Sequence, residues 1–226
     1  VVLNKADLAD PNLLGQWERY LRTDDSIAVV QISAKTGKNL SQLIEKGKYL
    51  CRNMNWAGRR AVRAMVMGVP NVGKSAIINY LSGKGSRKVE NRPGVTRDVS
   101  QSIKISASMK VMDTPGILWH KFEDPAVGEK LAVLGSINDE ILFREDIAAK
   151  GIELFRNLYP KKLAERFGLE EKDLELGDYE LLELIGRKRG CLVSGGKVDT
   201  EKASRIFLTE IRDGRICRFC LEKPQL

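Results

Sequence analysis

The chain has 226 residues, 42% of them apolar, 30% charged and 6% aromatic, and 38 Lys and Arg against 30 Asp and Glu leave a net charge of +8. That composition supplies one good core or two small ones and excludes collagen-like, disulfide-scaffold and low-complexity chains. No apolar run reaches the roughly 18–20 residues of a membrane span, and the opening Val1-Val2-Leu3 meets polar residues at once, unlike a secretory leader. Cys51, Cys191, Cys217 and Cys220 are too few for a disulfide framework, so a soluble protein of a reducing, cytoplasmic compartment is expected.

The first part of the chain alternates short β-rich runs with helical patterns. Residues 1–3 read as a strand leading to Asn4-Lys5-Ala6-Asp7, with a helix over 12–21 behind it. A second strand over 27–32 leads to Ser33-Ala34-Lys35 and a helix over 40–53. A third, over 62–67, runs into a glycine-rich loop and a helix over 74–81. Residues 101–106 read as an edge strand turning into a strand over 110–112, which ends on Asp113. Such alternation predicts an α/β domain with a parallel sheet and crossover helices over residues 1–145.

After Glu145 the strand signal stops. Ile147, Gly151, Leu154, Phe155 and Leu158 keep helical spacing until Pro160 stops it. Asp178 can cap a helix carrying Leu181, Leu182 and Ile185 and ending near Gly190. Asp199 or Thr200 can cap another, with Ala203, Ile206, Phe207 and Ile211 inside and Gly214 at its end. Residues 146–226 are therefore expected to form a small all-α domain.

Four loops carry chemistry. Gly68 to Ser75 matches G-x-x-x-x-G-K-[ST], in which the backbone wraps phosphate at a helix N-terminus. Asn71, Val72, Gly73, Lys74, Ser75 and Ala76 form its nucleotide-contacting run; Lys74 would reach the β- and γ-phosphates and Ser75 would ligate Mg²⁺. Asp113-Thr114-Pro115-Gly116 stands at a strand tip, where Asp113 can hold Mg²⁺ through water and the Gly116 N–H can sense the γ-phosphate. Asp7 can accept two hydrogen bonds from guanine, while adenine would leave a carboxylate unpaired. Asn4 and Lys5 would brace the base, and in Ser33-Ala34-Lys35 the Ala34 N–H can donate to the guanine O6. The nucleotide is therefore expected to be GTP.

The order of these loops is unusual, since the base-reading pair precedes the phosphate loop. With Pro70 to Ser75 (PNVGKS), Arg92 to Asp98 (RPGVTRD), Asp113 to Leu118 (DTPGIL) and Tyr179 to Gly190 (YELLELIGRKRG), the chain resembles the circularly permuted ribosome biogenesis GTPase A group (RbgA/YlqF). The resemblance covers essentially the whole chain. It implies a circularly permuted Ras-like P-loop GTPase domain followed by a small all-α domain, acting in maturation of the large (50S) ribosomal subunit with GTP as a switch. It also implies that Thr96 ligates Mg²⁺ and senses the γ-phosphate, so that Lys74, Thr96 and Gly116 serve catalysis. GTP and GDP, the large-subunit precursor and its rRNA are the implied partners of a monomer that needs no membrane.

The permuted order places one further strand and helix upstream of Val1, with that strand in the middle of the sheet. Ile117 stands where many GTPases carry a water-orienting Gln, so slow turnover is expected without a stimulating partner. The alternative is a GTP-regulated RNA-binding scaffold with little intrinsic hydrolysis. Asn71 matches the phosphate-loop Asn of GTPases that recruit K⁺, and His120, the single histidine, reads as an ordinary switch-loop residue. Cys217-Arg218-Phe219-Cys220 has half a zinc site's spacing but reads as reduced structural thiols.

The charge is uneven: residues 1–145 carry a net +7 and residues 146–226 a net +1. Lys46, Lys48, Arg52, Arg59, Arg60 and Arg63 cluster before the third strand, and Lys84, Arg87, Lys88, Arg92 and Arg97 follow the phosphate-loop helix. Such clusters suit a polyanion. Arg187-Lys188-Arg189 closes a helix and is the expected RNA contact of the second domain.

Overall fold

The structure is a computed structural model that describes residues 1–54, 60–83, 102–116, 118, 122–138 and 143–224. It divides into two compact units, Val1–Trp119 with Glu222–Leu226, and His120–Leu221.

The first unit is α/β. Strand β1 (Val2–Leu3) pairs in parallel with β2 (Val30–Gln31), Val2 opposite Val30 and Leu3 opposite Gln31. Helix α1 (Pro11–Leu21) crosses between them. Its start is fixed by Asp10, whose carboxylate accepts from the Asn12 and Leu13 N–H groups at 2.8 and 3.3 Å, and by Pro11 at the first helical position. After α2 (Ser41–Leu50) comes β3 (Val62–Val66), then the phosphate-loop helix α3 (Lys74–Leu81).

A hairpin of β4 (Ser102–Ser106) and β5 (Met109–Asp113) completes a second sheet in the order β3-β5-β4, parallel between β3 and β5 and antiparallel between β5 and β4. The period of two is clean here. Val62, Ala64 and Val66 of β3, Met109 and Val111 of β5, and Ile103 and Ile105 of β4 turn inward onto Ile78 and Ile44. Val30, Ile32 and Leu40 form a neighbouring cluster with Ile77. Consecutive residues of α3 thus serve both apolar clusters. Among the described residues the two sheets share no ladder, and β1 and β3 each present an unpaired edge.

The second unit is helical: α4 (Pro125–Val133), α5 (Arg144–Leu158), α6 (Pro160–Phe167), α7 (Asp178–Lys188) and α8 (Thr200–Arg212), with a short 3₁₀ turn over Glu171–Glu175. Ile152, Phe155, Leu163, Leu181, Phe207 and Ile211 are fully buried at its centre. Three local expectations change. Pro160 both stops α5 and opens α6, because its ring suits the first helical position. Asp178 lies inside the first turn of α7 and pairs with Arg156 at 2.6 Å, while the Gly177 N–H before it donates to Glu180 at 3.0 Å. Asp199, rather than Thr200, caps α8, accepting from the Lys202 N–H at 2.9 Å.

The sequence boundary at 145/146 leaves α4 with the first domain, whereas its side chains pack in the second unit. Val133 is fully buried among the helices, and Arg212 donates to the Ala132 and Val133 carbonyls at 2.9 and 3.0 Å. No helix among the described residues is long and apolar enough to cross a membrane.

Candidate nucleotide site

The phosphate loop leaves β3 at Met67 and enters α3 at Lys74. Gly68, Asn71 and Gly73 have φ values of 158°, 59° and 99°, so the turn needs the left-handed region at Asn71 and Gly73. Lys74 is buried, and its ammonium donates to the Gly68 and Val69 carbonyls, each at 2.9 Å. Burial pushes its pKa down, against the opposing pull of Asp113. The loop therefore holds a desolvated cation at the mouth of a helix N-terminus, an arrangement that attracts phosphate.

The Asp113 loop comes up against the same turn. Thr114 is buried and its hydroxyl donates to the Val66 carbonyl at 2.6 Å, pinning the loop to the phosphate-loop strand. A Cβ on Gly116 would stand 2.7 Å from Pro70 Cα, so this close approach requires glycine. The Ser75 hydroxyl donates to Asp113 Oδ2 at 3.2 Å, and Asp113 Oδ1 is buried without a hydrogen-bond partner among the described residues. A hydroxyl in contact with a carboxylate that keeps one orphaned oxygen fits a hydrated Mg²⁺, with Ser75 as ligand and Asp113 behind water. Thr96, Ile117 and His120 lie outside the described residues.

The loops expected to read the base converge from β1 and β2. Asn4 donates through Nδ2 to the Val72 carbonyl at 2.7 Å and accepts at Oδ1 from the Ala34 N–H at 3.0 Å. One side chain thus ties three sequence motifs together. Asp7 Oδ1 is buried with no partner among the described residues, as a carboxylate awaiting the paired donors of guanine would be. Ser33 is fully buried and accepts at its hydroxyl from the Thr36 N–H at 3.2 Å, while Lys35 is exposed. The Ala34 N–H, expected to meet the guanine O6, is here engaged by Asn4.

Sequence reasoning missed two supports. Thr114 sits inside D-x-x-G at a position the pattern leaves open. Tyr80 of α3 lies under the turn after Lys35, where a Cβ on Gly37 would stand 2.7 Å from its hydroxyl. Neither leaves a motif, since both act through tertiary contact. In the helical unit, Arg187 is exposed, Lys188 donates to the Gly168 carbonyl at 2.6 Å, and Arg189 contacts the buried Glu210 at 3.0 Å and lies over the Phe167 ring. Two of the three expected RNA contacts are thus bound into their own domain.

A family model described as "50S ribosome-binding GTPase" matches residues 63–182. The chain is 41% identical over 231 residues to the ribosome biogenesis GTPase A of Priestia megaterium, spanning 99% of this chain and 79% of that protein. Its identity to the protein of the same name from Thermotoga maritima is 31%, over 100% of this chain and 76% of the relative. Among solved structures, GNP-bound YlqF from T. maritima superposes with a TM-score of 0.68 at 28% identity, covering 100% of this chain and 81% of that one.

Proposed function

The chain belongs to the ribosome biogenesis GTPase A family, and from that premise we propose that it is a GTP-hydrolysing assembly factor of the large ribosomal subunit, holding rRNA in its GTP state. The observation that carries the nucleotide half of this reading is the Asn4 bridge, which brings base-reading and phosphate-binding loops into one site.

In this reading Asp7, Lys5 and Ala34 face guanine, and base binding frees or shares the Ala34 N–H now held by Asn4. Val72, Gly73, Ser75 and Ala76 offer backbone donors to the α- and β-phosphates, and Lys74 leaves its two loop carbonyls for the β- and γ-oxygens. Ser75 and Thr96, with Asp113 through water, would hold Mg²⁺, which would neutralise charge on the transferring phosphate. The Gly116 N–H and Thr96 report the γ-phosphate, so their release after hydrolysis loosens both switch loops. Asn71 is the proposed ligand for K⁺, as a source of extra positive charge.

Turnover of GTP measured alone and with purified large or small subunits tests the proposal. Strong stimulation by large subunits alone is the expected result. Intact GTP binding with no stimulation by either subunit would turn the reading to a GTP-regulated scaffold.

A further inference from the structure

The outer face of the three-stranded sheet carries a row of cations. Register places Arg63 of β3 opposite Lys110 of β5, and Lys110 opposite Lys104 of β4. Register partners share a face, and all three side chains are exposed, on the side away from Ile103, Val111, Val62 and Ala64. With strands about 4.8 Å apart, the row spans about 10 Å.

Like charges directly opposite one another destabilise a sheet. The flanking sequence is short of counter-charge: residues 46–89 and 99–112 contain no Asp or Glu, and among the described residues no ion pair involves Arg63, Lys104 or Lys110. Three cations on adjacent strands, without an ion pair among the described residues, are an arrangement an external polyanion would stabilise.

We propose that this row is a docking surface for an RNA phosphate backbone. Three cations about 4.8 Å apart along that row can meet two or three phosphates of a duplex backbone. It carries no aromatic platform for an unstacked base, so contact is to the backbone and independent of sequence. Arg63 lies five residues before Gly68, about 16 Å of extended strand, so RNA can occupy the row while GTP occupies the loop. The natural target rests on the assembly-factor reading above; the surface itself does not.

The test compares the wild-type chain with R63Q/K104Q/K110Q and with the charge-conserving R63K/K104R/K110R. The probes are purified large subunits and a non-ribosomal RNA duplex of roughly 20 base pairs, titrated with salt. The Gln triple should bind the duplex at least about tenfold more weakly at low salt, with a log K against log [salt] slope shallower by about two to three. The conservative triple should keep both, and GTP affinity should not change. Melting temperature should hold or rise, because repulsion is relieved. If the Gln triple fails to fold, Lys104→Gln on the edge strand carries the test through a slope change of about one.

Unchanged duplex affinity and slope would overturn the surface, and would leave the assembly reading intact if wild type still binds large subunits. Row-dependent duplex binding with no subunit binding would uphold the surface and overturn the assembly reading. Row-dependent capture of polyglutamate without duplex binding would overturn RNA in favour of an acidic polypeptide.

Discussion

Asn4 Nδ2 holds the Val72 carbonyl at 2.7 Å, across 68 residues of chain, while Oδ1 of the same amide receives the Ala34 N–H. The loop proposed to read the base and the loop proposed to wrap phosphate are therefore positioned by one planar group with a fixed donor and a fixed acceptor. Gly73 is part of the same fit, since a Cβ there would clash with Asn4 Nδ2. Asn4→Ala removes both hydrogen bonds. At about 1 kcal/mol each, GDP and GTP affinities should fall together by roughly 10- to 50-fold, as measured by displacement of a fluorescent nucleotide. Loss of GTP affinity alone would refute the bridge.

Asp7→Asn should move preference from guanine toward xanthine. An amide can donate to the xanthine carbonyl but cannot accept from both guanine donors. Competition between GTP and XTP for the same site reads this directly, and unchanged GTP affinity would refute the assignment of the orphaned Asp7 oxygen.

Lys74→Met should separate function from stability. Nucleotide affinity and turnover should fall by about 100-fold or more, because the charge facing phosphate is gone. Burial lowers the Lys74 pKa in the folded chain below its ordinary 10.5. The unfolded chain then binds that proton more tightly, so the charged lysine costs stability below its folded pKa, a cost that fades as pH rises from there toward 10.5. The nucleotide-free Met variant should melt no lower than wild type at pH 7. Any advantage should shrink in alkaline buffer, and melting curves at the two pH values check the sign.

How much of this was legible beforehand depends on the range of the interaction. The phosphate loop, Asp113 and Asp7 are local patterns whose chemistry is set within a few residues, and strands and helices lie close to their expected places. Helix α4 shows the limit, because its partners Arg212 and the α8 core are some 80 residues away and no local signal assigns them. Thr114 and Tyr80 were silent for the same reason, their roles existing only once Val66 and Gly37 stand beside them. Asp178 looked like a cap because carboxylates favour helix starts in general, but Arg156 claimed it.

In the helical unit, Gly186 of α7 faces α8, where an added Cβ would stand 2.7 Å from Val198 Cγ1 and 2.9 Å from Ala203 Cβ. Gly186→Ala gains helix propensity but overpacks the contact with Val198 and Ala203, and a net loss of about 1–2 kcal/mol is expected. Chemical denaturation checks the sign. A stabilised variant would mean that the two helices are free to separate slightly.

Helix α3 gives Ile77 to the cluster under β2 and Ile78 to the cluster under β3 and β5, while its first turn is the proposed phosphate cradle. A ligand at that first turn therefore clamps the shared wall of two small cores. Saturating GDP at a hundredfold its Kd adds about 2.7 kcal/mol to the folded state. In amide hydrogen exchange the added protection should appear on both half-sheets at once, including strands that never touch the nucleotide.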